Sequence, residues 1–147
     1  MASNRKLPRV KHADRPRPGE TVLKQSGADL QNGWLARHGT LYATDDRLLF
    51  VPTVLDHALQ AKRREIPLGD VTEIERFPRS PAEMPLGGKR PRMLIHTDAC
   101  VYEFMVGDLD AWIDALERVY QRRSRETGED YTPRITREGY VNLLMED

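Results

Sequence analysis

Between Thr21 and Val106 the apolar residues recur at every second position almost everywhere, and only after Gly107 does the spacing lengthen to that of a helix. A period of two puts successive side chains on opposite faces of a strand, whereas returns at three and four residues mark one face of a helix. A chain built of many short strands and one terminal helix cannot cover both faces of a flat sheet. Its sheet has to bend or close on itself, with the helix over the remaining opening.

The phrases can be placed one by one. "TVLKQSGADL", Thr21 to Leu30, reads as a first strand, bulged near Gly27. "GTLYATDDRLLFVP" is a hairpin turning at Asp45-Asp46, two residues that tolerate tight turns and bond their own backbone. "RREIPLGDVTEIERF" gives strands at Arg64 to Ile66 and Val71 to Phe77, parted by the turn Pro67 to Asp70. "RMLIHTDACVYEFMV" is a second hairpin, with Met93 and Ile95 on one strand and Cys100, Tyr102, Phe104 and Val106 along one face of the other. This makes about seven strands. Asp108 then stands as an N-cap, and Leu109, Trp112, Ile113, Leu116, Val119 and Tyr120 recur at helical spacing up to Arg123. Acids near the start of that helix and arginines near its end suit its macrodipole.

Charge divides the chain of 147 residues into three. Residues 1 to 19 carry six basic residues against Asp14 and are broken by Pro8, Pro16 and Pro18, which reads as a basic disordered arm. Residues 20 to 123 are near neutral and form the domain. Residues 124 to 147 are an acidic linker and an apolar C-terminal segment, with Tyr140, Val141, Leu144 and Met145 at helical spacing. A segment so short must dock, either on its own domain or in a partner's groove. The first ten residues are too polar for a signal peptide, and the apolar runs fall far short of the roughly 20 residues of a membrane span. A lone cysteine between Ala99 and Val101 reads as a packed strand thiol and suggests a reducing, cytoplasmic setting. The excess of arginine, 18 against 5 lysines, hints at a bacterial source.

Taken in order, the two hairpins, the Ile-Pro-Leu then Asp-Val phrase and the closing helix resemble the GRAM family of pleckstrin-homology-like domains, over about residues 20 to 123. The resemblance implies a mainly β fold: a bent seven-stranded antiparallel barrel or sandwich capped by one C-terminal α-helix. It also implies a non-catalytic cytosolic module that binds acidic lipids or a protein. The first loop, "GADLQNGWLARHG", offers only Arg37 and His38 where pleckstrin-type lipid sites commonly carry a basic pattern.

Two basic clusters remain as candidate anion or lipid sites: Lys62, Arg63 and Arg64, and Lys89, Arg90 and Arg92. Converging on one surface, they would grip lipid phosphates, since arginine makes paired hydrogen bonds to such groups. The plain alternative is solvated charge that blunts strand edges. Trp34 is either a plug at the mouth of the barrel or an anchor for a partner, alongside Tyr140, Val141, Leu144 and Met145. The four histidines fall one per segment with no metal spacing, so no metal or other cofactor is expected. No serine or cysteine lies in a nucleophile phrase, so no enzyme activity is expected. The basic arm could follow phosphates, but the domain lacks a base-stacking pattern, and nucleic acid is not an expected partner. The preferred reading is an adaptor for an unidentified protein or a second copy of the chain. Peripheral attachment to anionic lipid at the inner membrane surface is the alternative.

Overall fold

The computed structural model describes residues 16–32, 35–53, 62–77, 91–129 and 132–136. The strands are β1 (Val22–Asn32), β2 (Leu35–Thr44), β3 (Arg47–Pro52), β4 (Arg64–Pro67), β5 (Val71–Phe77), β6 (Arg92–Thr97), β7 (Val101–Met105) and β8 (Arg134–Thr136). Among the described residues one α-helix, α1 (Leu109–Thr127), follows β7, and a 3-10 turn at Leu68–Asp70 joins β4 to β5. The sheet runs β4-β3-β2-β1-β7-β6-β5-β8, with antiparallel neighbours except for the parallel pair β5 and β8.

This is the mainly β, helix-capped sandwich that the resemblance implies. It has eight strands among the described residues rather than seven, and its order ends at β4 and β8 without closing. The two halves meet where β1 pairs β7, at Asp29 with Met105 and Leu30 with Phe104. Leu41, Phe50, Ile74, Ile95, Phe104, Trp112 and Leu116 fill the space between them and are fully buried. Helix α1 fastens both halves. Trp112 Nε1 donates to Ser26 Oγ of β1 at 2.9 Å, and the Tyr120 hydroxyl donates to the Leu68 carbonyl at 2.7 Å.

The helix buries all six residues of its expected apolar face. It runs past Arg123 to Thr127, where Gly128 at φ 75° closes it and donates to the Ser124 carbonyl at 2.8 Å. Asp108 makes no side-chain cap, because its carboxylate is taken by Lys24 Nζ at 2.7 Å. The turn at Asp45-Asp46 is where the sequence places it, but Thr44 secures it: Asp46 and Arg47 donate their backbone N–H to Thr44 Oγ1 at 3.1 and 3.0 Å. Gly39 opens the hairpin phrase because a Cβ there would lie 2.4 Å from the Val51 carbonyl oxygen. The irregularity in β1 lies between Val22 and Lys24, while Gly27 pairs regularly with Thr40.

Cys100 is exposed, not packed. It sits on the turn before β7, where its N–H donates to Thr97 Oγ1 at 3.1 Å, so its position on the inward face carries it to the rim of the core rather than into it. β8 lies in the C-terminal segment that follows the polar linker, where the sequence reading places no strand, and its Ile135 packs against the core.

Candidate functional site

The antiparallel order sends three connections to one end of the molecule: β1 to β2, β3 to β4 and β6 to β7. A cavity of about 290 Å³ opens there, lined by Leu30 and Gln31 at the end of β1, Arg64 at the start of β4, and Cys100, Val101 and Tyr102 at the start of β7. Its depth follows from the strand alternation of β7. Phe104 is fully buried, Tyr102 is half-buried and stacks on it at 6.3 Å, and Cys100 reaches the rim. Val101 points the other way and is 48% exposed, more than the other exposed large hydrophobic residues among those described.

Hydrogen bonding with the Cys100 thiol, together with burial, raises the pKa of the Tyr102 hydroxyl, and Arg64 acts in the opposite direction. Tyr102 is therefore neutral at ordinary pH and Arg64 supplies the positive charge of the wall. Lys62 is exposed and Arg63 half-exposed just before it, with Arg63 3.7 Å from Glu65.

The second predicted cluster is elsewhere. Arg92 begins β6 opposite Met105, at the far end from the cavity. There its Nε donates to Glu103 at 3.0 Å and its guanidinium covers the Phe77 ring at 5.5 Å. The structure therefore brings Lys62, Arg63 and Arg64 to the cavity end and does not bring Arg92 to them. Lys89, Arg90, Trp34, Tyr140, Val141, Leu144 and Met145 lie outside the described residues.

The far end holds a network that the sequence did not announce. Arg47, 2% exposed, donates from Nε and Nη2 to the two carboxylate oxygens of Glu20 at 3.0 and 3.1 Å, and from Nη1 to Glu65. Glu20 also accepts from Thr44 Oγ1 at 2.6 Å and from the Arg17 backbone at 2.7 Å. Burial opposes the charge of Glu20, but the bonds from Arg47, Thr44 and Arg17 outweigh it and hold the pKa at about 2. This is a fastening of the fold, with its donors already used. Arg17, in the arm of the sequence reading, reaches both Asp46 and Glu65, at 3.3 and 3.2 Å.

A second hollow, of about 410 Å³, runs between β1 and α1. Leu23, 36% exposed, faces Ala115, Val119, Arg118, Arg122 and Arg125 across it. No described helix is long and apolar enough to cross a membrane.

No family model matches the chain, and no curated protein matches it. Solved structures do. The C-terminal domain of an unknown protein from Leishmania infantum superposes with a TM-score of 0.54 at 19% identity, covering 69% of this chain and 84% of that one. The hSac2 domain of the human phosphoinositide phosphatase Sac2 gives 0.54 at 13%, covering 81% and 77%. The Vps36 N-terminal PH domain gives 0.51 at 12%, covering 85% and 98%. At such identities the likeness is one of fold, and the fold is pleckstrin-homology-like.

Proposed function

We propose that the chain is a non-catalytic binding module, related in kind to GRAM domains, that takes an anionic lipid headgroup at its cavity end. The observation that carries this is the cavity itself: Arg64 stands in its wall, Lys62 and Arg63 lead up to it, and exposed Val101 stands beside it. An apolar tip next to a basic collar fits a membrane surface, where the side chain enters the interface and each base contributes on the order of 1 kcal/mol. That a domain of a phosphoinositide phosphatase has the same fold supports a headgroup ligand. Attachment would be peripheral, from the cytoplasm.

The adaptor reading keeps one observation in its favour. The hollow between β1 and α1 combines an exposed leucine with arginines, a surface suited to an acidic, apolar peptide segment.

Co-sedimentation of the full chain with neutral and anionic vesicles, at low and near-physiological salt, separates the two. The headgroup reading expects retention on anionic vesicles at physiological salt and its loss when Lys62, Arg63 and Arg64 are all replaced by alanine. Retention unaffected by that triple replacement, or none at all, overturns it and leaves the hollow beside α1 as the place to test with L23D and R122E.

A further inference from the structure

The outer face of the β5-β6 pair gathers ligands that the sequence keeps apart. Glu73 and Glu75 are two residues apart on β5 and so share one face. His96 of β6 stands opposite Glu73 in the register, which brings it to the same face. One carboxylate oxygen from each glutamate and one imidazole nitrogen all lie within 4.8 Å of one another. Each of the three residues is half-buried. His96 Nε2 is already in hydrogen-bond contact with Glu75 Oε1.

We propose that Glu73, Glu75 and His96 form a binding site for a divalent transition-metal ion of the Zn²⁺ type. Tetrahedral zinc holds its nitrogen and oxygen ligands at about 2.0–2.2 Å, which sets them roughly 3.3–3.5 Å apart. The present spacing closes to that by rotation of two long glutamate side chains. Imidazole beside carboxylates selects zinc and its neighbours over calcium or magnesium, which prefer all-oxygen sets. The two carboxylates bring two formal negative charges, which a dication cancels. In the contact with Glu75 the His96 Nε2 donates its N–H to the carboxylate oxygen, and a metal would take the place of that proton. Strand backbones on both sides fix the three Cα positions, and Thr72 Oγ1 donates to the His96 carbonyl at 3.2 Å. Two described cations share this face: exposed Arg134, paired with Glu73 in the β5-β8 register, and Arg92, which is held on Glu103 and the Phe77 ring.

Calorimetric titration of Zn²⁺ into the metal-stripped full chain tests this, with Co²⁺ as a visible-absorption probe of the same site. We expect one ion per chain and a rise in melting temperature on binding. His96→Ala and Glu73→Gln should each weaken binding by more than about tenfold, since even loss of a ligand's hydrogen-bond partner costs about 10- to 100-fold. His38→Ala, which changes the histidine paired with Asp29 on the other half of the sheet, should leave binding unchanged. Glu73→Gln removes a charge from a surface face, and its metal-free melting curve reports whether the fold survives. Absence of saturable binding at micromolar metal overturns the proposal. So does affinity that is unchanged in both His96→Ala and a normally folded Glu73→Gln.

Discussion

The two ends of this molecule use arginine in opposite ways. At the far end Arg47 is buried and locked on Glu20 and Glu65, and Arg92 lies between Glu103 and a phenylalanine ring. At the cavity end Arg64 lines a hollow together with neutral groups, and exposed Lys62 precedes it. A basic residue whose charge is already matched inside the fold has little left to offer a ligand. The lesson for reading such chains is that counting cations in loops overstates a site until the partners of each are known.

The contrast can be broken most severely at Glu20. Replacing it with alanine removes both carboxylate bonds that Glu20 makes to the buried Arg47 guanidinium, and we expect a loss of about 3 kcal/mol in chemical denaturation. The cavity-end counterpart, Arg64→Ala, should leave the denaturation midpoint almost unmoved. Equal losses in the two variants would show that the ends do not differ.

Acid sharpens the same comparison. Glu20 titrates at about 2 in the folded chain against an ordinary 4.5, so the folded state binds fewer protons and this stabilisation is complete above about pH 4.5. It drains as pH falls from there toward 2, by an amount on the order of 2 kcal/mol. A pH series of denaturation midpoints should slope downward over that window in the parent and be flatter in Glu20→Gln.

Smaller effects belong to ligand binding. Each of Lys62→Ala and Arg64→Ala should lower anionic-vesicle affinity about fivefold, the equivalent of roughly 1 kcal/mol per charge. Arg92→Ala should cost about 1 kcal/mol or less of stability and change vesicle affinity not at all, because its charge is spent on Glu103 at the opposite end. An Arg92 effect on vesicles equal to that of Arg64 would undo the separation of the two ends.

Local pattern by itself determined most of the elements. The turn at Asp45-Asp46, the strands from Val71 and Arg92, and the apolar face from Leu109 to Tyr120 are set by spacing within a dozen residues, and the need to bend the sheet under one helix follows from them. Elements with no periodicity of their own were illegible. β8 is three residues long and gains its strand geometry from pairing with β5, and the rim position of Cys100 depends on where β7 begins. Of the charged groups, the run Lys62 to Arg64 was legible as a cluster, but what each charge faces was not. Glu20 and Arg47 are 27 residues apart, Glu75 and His96 are 21 apart, and Arg64 meets Tyr102 only across the mouth of the sandwich. Strand register, which is fixed by the packing of the whole sheet and not by any one strand, decides which charges face each other, and so which are spent on the fold and which remain for a ligand.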